Sequence, residues 1–219
     1  MHILLVLATE GESGGLRQQL SLKQQGPRVW SGHLGDARIT LLHTGIGMIN
    51  TALYMGRMVE KHTFDRVVNL GIAGAFDRSL VLGGVIEVET DVYAELGADS
   101  PEGFLSLEAL GFPAWQAAGQ PGYNHLFNPH AGRSGLPLVR AITVNRVHGT
   151  AERIAKTARQ WRPSIESMEG AAFLQVALEA GIPCTAIRSI SNYVEPRNRA
   201  AWDIPAALRG LEAAAMNFL

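Results

Sequence analysis

The sequence contains a single cysteine and almost no net charge, and each of these shortages excludes a class of protein. The lone cysteine, Cys184, forms neither an internal disulfide nor a multi-thiolate metal site, and the apolar run around it indicates a small buried strand residue. The formal net charge is −1, from 19 basic and 20 acidic residues. Because nucleic-acid binding depends on neutralising phosphates, we expect no nucleic-acid partner.

Long hydrophobic runs are also missing. No apolar stretch approaches the length of a membrane span, so we expect no membrane contact. The amino-terminal run has no basic segment before it and no cleavage signal before Glu10 and Glu12, which predicts a cytoplasmic protein. With 47% hydrophobic and 18% charged residues, the 219 residues suit one globular domain, 1–219, with a sizeable core.

The motifs of two cofactor classes are missing as well. The histidines show no metal-ligand spacing, since His125 and His130 stand five apart in a proline-containing loop. The turn Gly45–Gly47 lacks the third glycine of a dinucleotide fingerprint, because Asn50 stands there. We expect no metal and no cofactor.

Short apolar runs alternate with segments of helical spacing along the chain. The predicted strands are Ile3–Ala8, Arg38–His43, Arg66–Leu70, Val85–Glu89, Ala141–Asn145 and Pro183–Ser189. The predicted helices are Ser13–Leu22, Met48–Lys61, Thr150–Gln160, Met168–Ala180 and Pro205–Phe218. This alternation predicts an α/β fold, a single three-layer domain with a mixed, mostly parallel central sheet flanked by helices. Thr90–Arg140 shows no clear period, and we predict long loops there that line or cover a site.

The unusual polar residues fall where predicted strands end. Glu12 follows the first strand, Glu169 opens a predicted helix, and Arg188–Asn192 ends a strand. In open α/β sheets, ligands bind beyond the carboxyl ends of the strands. These residues make a coherent set. One carboxylate would take a proton from water, a second would bind ribose hydroxyls, and a polar group would bind a base edge. For each acid alone, a helix cap is an equal alternative.

Four motifs resemble the nucleoside phosphorylase and nucleosidase superfamily, which includes the bacterial 5′-methylthioadenosine/S-adenosylhomocysteine nucleosidases. They are Thr44–Gly47, Gly71–Gly74, Ile165–Ala172 and Ala186–Asn192. The resemblance implies a nucleoside phosphorylase-like fold. It also implies that Glu12 activates water and that Met168 and Glu169 hold the ribose. The other expected substrate-binding residues are Gly45, Ile46, Ile72, Ala73, Gly74, Arg188, Ser191 and Trp202.

Asn192 departs from that pattern, because the adenosine-cleaving nucleosidases carry aspartate at this position. Adenine presents a donor at its 6-position, which a carboxylate accepts, whereas hypoxanthine presents a carbonyl, to which an asparagine amide donates. Trimeric purine nucleoside phosphorylases, which act on 6-oxopurines, use asparagine in this role. Because buried polar mismatches discriminate strongly, Asn192 predicts a 6-oxopurine substrate. An amide that flips to present its carbonyl would bind a 6-aminopurine instead.

Further segments resemble the futalosine hydrolase family within that superfamily. They are Tyr93–Gly97, Pro101–Phe104, Thr143–Asn145, Gly149–Thr150, Ile190–Trp202 and Ile204–Leu208. The resemblance implies hydrolysis of the N-glycosidic bond of futalosine, which releases hypoxanthine and dehypoxanthine futalosine in a bacterial route to menaquinone. It also implies a homo-oligomer.

Several assignments stay open at this stage. The candidates to stack on the purine are Phe104, Tyr193 and Trp202. The candidates to bind the 5′ carboxylate of futalosine are Arg197 and Arg199. For each of these residues, a plain structural role in a loop or the core is the alternative. Three rival functions stay open. They are a phosphorylase, a nucleosidase for methylthioadenosine or the 6-amino analogue of futalosine, and a non-catalytic nucleoside-binding protein. Glu12 favours water over phosphate, and the presence of both glutamates weighs against a non-catalytic protein.

Overall fold

The structure, a computed structural model, describes residues 1–219, and strands alternate with helices as predicted. The strands are β1 (His2–Leu7), β2 (Lys23–Gly26), β3 (Val29–Leu34), β4 (Ala37–His43), β5 (Arg66–Ala75), β6 (Val85–Val92), β7 (Gly97–Ser100), β8 (Gly103–Ser106), β9 (Trp115–Ala117), β10 (Gln120–Gly122), β11 (His125–Phe127), β12 (Leu138–Thr143), β13 (Ile165–Ser167) and β14 (Cys184–Tyr193). The helices are α1 (Glu10–Gln19), α2 (Met48–Lys61), α3 (Leu107–Leu110), α4 (Ala151–Trp161), α5 (Gly170–Glu179) and α6 (Ile204–Phe218), with a 3₁₀ turn at Arg199–Ala201.

Ten strands form one mixed sheet. Its order is β11-β6-β12-β13-β5-β1-β4-β3-β2, and β14 pairs with both β5 and β6. The central pairs of β1 with β4 and β5, and of β14 with β5, are parallel, whereas the β2–β3–β4 edge is antiparallel. Because β5, β13, β12, β6 and β14 pair in a closed circuit, this half of the sheet curls into a small barrel.

Strand β1 lies in the middle of the sheet and is buried on both faces. Leu4 and Val6 pack into a cluster with residues of α2 and α5, whereas Ile3, Leu5 and Leu7 pack with residues of α1 and α6. Alternate side chains of a strand point to opposite faces, so this apolar run binds a helical layer on each side. The predicted α/β sandwich of helices around a central sheet is confirmed. No helix combines the length and the apolar character that crossing a bilayer requires.

Two predictions about local structure are wrong. Residues 90–140 are not long loops, since they contain two small hairpins, β7–β8 and β9–β10, the short helix α3 and the edge strand β11. The β2–β3 hairpin escaped prediction too. Most of these strands have three or four residues and lie half exposed, so they carry no continuous apolar pattern. Helix α5 begins at Gly170, after Glu169 and not before it.

Candidate active site

The carboxyl ends of four parallel neighbours meet at one edge of the sheet. Strands β4, β1, β5 and β14 run in the same direction, and each ends in one of the segments singled out from the sequence. Glu12 follows β1, Gly45–Gly47 follows β4, Gly71–Gly74 ends β5, and Asn192 ends β14. The structure therefore brings together the predicted site residues from distant parts of the chain.

Glu12 caps α1 with one carboxylate oxygen and turns the other towards β5. Its Oε2 accepts hydrogen bonds from the backbone N–H and the hydroxyl of Thr9, both at 2.9 Å, which caps α1. Its Oε1 points to β5, where it lies 3.3 Å from the backbone nitrogen of Ile72. A Cβ on Gly71 would stand 3.2 Å from the same oxygen. The cap thus fixes one oxygen and leaves the other facing the glycine turn.

Glu169 is held at the other side of the same edge. Its Oε1 accepts the backbone N–H of Gly47 at 2.8 Å, and Gly47 reaches this geometry with a φ of 93°, which favours glycine. Burial raises the pKa of Glu169, and the nearby Glu12 carboxylate adds to that shift. The half-buried Met168 precedes it between β13 and α5. The second oxygen of Glu169 is available for a ligand hydroxyl.

Arg188 lies beneath these carboxylates and is almost completely buried, with 1% of its surface exposed. Its guanidinium donates to the backbone carbonyl and the side-chain oxygen of Asn69. Burial lowers its pKa, and the charges of Glu169, Asp91 and Glu12 oppose that shift. Because its hydrogen bonds go to the protein, the geometry favours a charge-balancing role, and direct contact with substrate stays a prediction.

Asn192 is oriented by its neighbours at the end of β14. Its Oδ1 lies 2.8 Å from the hydroxyl of Ser191, and its Nδ2 donates to the carbonyl of Tyr193 at 3.0 Å. A break in the β14–β5 register between Ile190 and Asn192 re-aims the side chain, as bulges do. The Tyr193 carbonyl, which can only accept, favours the amide orientation whose NH₂ group lies over Gly74, 3.1 Å from a Cβ built there.

Each of the three candidate stacking aromatics packs on another side chain. The Tyr193 ring packs on the Arg78 guanidinium at 4.5 Å, and the Phe104 ring packs on Trp161 at 5.7 Å. Trp202 remains half buried after the 3₁₀ turn, with the Arg197 guanidinium 5.5 Å from its ring centre. Stacking of Trp202 on the purine stays a prediction.

Sequence reasoning overlooked a serine–histidine pair next to Glu12. Gly11–Gly15 has the spacing of a nucleophile elbow, with Ser13 at its centre, and its hydroxyl lies 2.6 Å from His43 Nε2. A nucleophile elbow exposes its serine at a strand-to-helix turn, whereas Ser13 is inside α1 and fully buried. Burial lowers the pKa of His43 to about 4, and its Nδ1 has no partner. This pair is therefore not a nucleophilic site.

Comparison with known proteins agrees with this geometry. The family model described as "Phosphorylase superfamily" matches residues 2–218. The solved structure of the futalosine hydrolase of Helicobacter pylori strain 26695 superposes with a TM-score of 0.83 at 15% identity, covering 100% of this chain and 97% of that chain. These two findings define the class of protein and its fold.

Curated relatives define the family within that class. The futalosine hydrolase of Thermus thermophilus is 33% identical over 198 residues, covering 87% of this chain and 85% of the relative. The futalosine hydrolase of Acidothermus cellulolyticus is 31% identical over 214 residues, covering 96% and 87%. The chain belongs to the phosphorylase superfamily and, within it, to the futalosine hydrolase family, as the sequence motifs predicted.

Proposed function

We propose that this chain hydrolyses the N-glycosidic bond of futalosine, releasing hypoxanthine and dehypoxanthine futalosine in the futalosine route of menaquinone biosynthesis. The observation that carries the reaction is the position of Glu12, whose Oε1 faces the Gly71–Gly74 turn close to the Glu169 carboxylate. The relatives that are named futalosine hydrolases support the choice of substrate.

Glu12 is the general base in this proposal. N-glycosidic cleavage passes through a ribosyl cation, and a water at the anomeric carbon must lose a proton as it attacks. Because Thr9 holds one oxygen of Glu12, the other is fixed where it orients that water against the Ile72 edge. Such a positioned base contributes about 10²–10⁴-fold to the rate.

Glu169 and Asn192 bind the two halves of the nucleoside. The free oxygen of Glu169 accepts from the ribose 2′ and 3′ hydroxyls, with Met168 packed on the sugar. The amide of Asn192 donates to the 6-oxopurine as negative charge grows on it, which is electrostatic stabilisation without a covalent step. Asparagine is not an acid, so the departing base either takes its proton from solvent or leaves as an anion.

The 5′ tail of the nucleoside points beyond the turn after β4. The base lies at Gly74 and the ribose at Glu169. Because Glu169 is hydrogen-bonded to Gly47, the substrate's contacts with the protein continue from the ribose to Gly45 and Ile46. Arg28 is the cation at this end, since its Nη1 donates to the Thr44 carbonyl at 3.1 Å and would lie 3.6 Å from a Cβ on Gly45. A guanidinium suits the carboxylate of the tail.

The two arginines that the sequence offered as candidates to meet the tail belong to the segment after β14. The backbone N–H of Arg197 donates to the Gly149 carbonyl at 3.1 Å, and its side chain packs on Trp202. Arg199 belongs to the same loop. This segment returns to the base end of the site, where the backbone N–H of Asp203 donates to the Ser191 carbonyl at 2.8 Å, so we propose Arg28 as the residue that binds the tail carboxylate.

An exposed apolar face continues from the tail end of the site, and we propose that a second copy of the chain covers it. Ile46, Ile49 and Leu53 are 58%, 79% and 48% exposed, and an apolar groove of about 430 Å³ runs beside them past Met48 and Phe112. Such a patch is typical of an oligomer interface. Light scattering tests for the homo-oligomer by comparing the molar mass of the wild type with that of Ile49→Lys.

We further propose that residues 1–219 act as one cytoplasmic domain.

The test of the function is base release from four nucleosides, followed chromatographically with and without phosphate. The nucleosides are futalosine, its 6-amino analogue, inosine and methylthioadenosine. Phosphate-independent release of hypoxanthine from futalosine is expected. Preferred release of adenine would overturn the role of Asn192 and leave a hydrolase, whereas a strict need for phosphate would identify a phosphorylase and refute the role of Glu12.

A further inference from the structure

A buried histidine–carboxylate pair that the proposed mechanism does not use lies beside the base end of the site. Nδ1 of His148 is 2.5 Å from Oε2 of Glu166, and the backbone N–H of His148 donates to Oε1 at 3.1 Å. Both side chains are only 3% exposed. A buried pair of this kind is often no more stabilising than well-packed apolar residues, so its contribution to stability does not explain it.

The position of this pair in the sheet connects it to Asn192. On β5, Gly74 is the register partner of Glu166 from β13 on one side and of Asn192 from β14 on the other. A Cβ on Gly74 would lie 3.1 Å from Asn192 Nδ2 and 3.6 Å from Glu166 Cγ. The amide and the carboxylate therefore extend over the same glycine, on one face of the sheet.

These two groups match two adjacent atoms of a 6-oxopurine. Hypoxanthine presents an acceptor at O6 and a donor at N1–H, and adenine presents the opposite pattern at both positions. An amide NH₂ donates to O6, and a carboxylate, which only accepts, receives N1–H. We propose that Glu166 is a second specificity-determining residue, which accepts the N1–H of the base while Asn192 donates to its O6.

His148 makes Glu166 an acceptor for the base. Its ring and its backbone N–H both donate to the carboxylate, and each carboxylate oxygen keeps a further lone pair. Thr157 Oγ1 lies 2.7 Å from the other ring nitrogen of His148 and anchors the ring. The backbone N–H of His148 is thereby occupied and does not face the purine as a donor.

This inference rests on the proposed function, and it is tested on the same nucleosides. In Glu166→Gln, the ratio of kcat/KM for futalosine to that for its 6-amino analogue should fall by about 10- to 100-fold, the cost of one mismatched buried hydrogen bond. Glu87→Gln is the matched control, because Glu87 is also fully buried in the sheet but bonds to Ser134 away from the site. It should keep the wild-type ratio.

A measurement on the unaltered enzyme covers the case in which Glu166→Gln does not fold. Wild type should bind hypoxanthine about tenfold or more tightly than 1-deazahypoxanthine, which has C–H in place of N1–H. Equal affinity for the two bases, or a wild-type substrate ratio in folded Glu166→Gln, would overturn the proposal. A wild-type enzyme that releases no base from futalosine would refute the proposed function instead, and the two affinities would still test Glu166.

Discussion

Replacement of Gly170 by alanine tests how the fold holds Glu169 in place. Gly170 is the first residue of α5, and a Cβ there would lie 2.2 Å from Asp91 Oδ2, well inside the 3.0 Å that real Cβ contacts respect. Asp91 is fully buried, so the close packing around it opposes its displacement. Its Oδ1 accepts the Thr143 hydroxyl at 2.9 Å and the backbone N–H of Val92 at 2.8 Å.

The strain therefore falls on the start of α5. The Thr143 hydroxyl oxygen also accepts the backbone N–H of Ala171 at 2.8 Å, so the helix end and Asp91 belong to one network. A shift of about 1 Å at Gly170 moves the adjacent Glu169, and a misplacement of about 1 Å costs about 100-fold in rate. Overpacking of this kind also lowers the free energy of unfolding by about 1–3 kcal/mol.

The assay compares kcat/KM for base release with the free energy of unfolding in urea. Gly14→Ala is the control, because Gly14 lies in α1 with nothing within 4 Å of the added carbon, and alanine should stabilise that helix by up to about 1 kcal/mol. Asp91→Ala removes the clash, so the double variant should lose less than the sum of the two single losses. A Gly170→Ala enzyme that matches Gly14→Ala would refute this reasoning.

Two further predictions concern the carboxylates. Glu12→Gln keeps the shape of the side chain but takes no proton from water, so kcat should fall by about 10²–10⁴-fold with little change in KM, and an unchanged kcat would exclude the general base. Burial raises the pKa of Asp91 to about 7 from its ordinary 3.8, so the folded state retains a proton that the unfolded chain releases. Stability should therefore decline as pH rises from about 4 to about 7, by up to about 1.4 kcal/mol per pH unit, and Asp91→Asn should flatten that decline in urea unfolding. The raised pKa of Glu169 adds a slope of the same sign, so an undiminished slope in Asp91→Asn would contradict the assignment to Asp91.

The sequence alone determined the layers of the fold and the residues that we propose carry the reaction. The apolar runs of β1 and β5 are buried on both faces, and such runs predict central strands without further information. Glu12 and Asn192 could be placed because each stands near the carboxyl end of a predicted strand, and the carboxyl ends of parallel strands share an edge. The expectation for Glu169 came from the resemblance to the superfamily.

Only the tertiary structure decided which side chains surround those residues. Glu166 stands in a segment that was singled out, but its pairing with Gly74 and His148 depends on a three-residue strand whose register no local pattern specifies. A charged residue between the buried Ile165 and Ser167 was the one available signal. The contact of Asp91 with Gly170 and the burial of Arg188 are likewise non-local, because they arise where the sheet curls into a barrel and brings distant strand ends together.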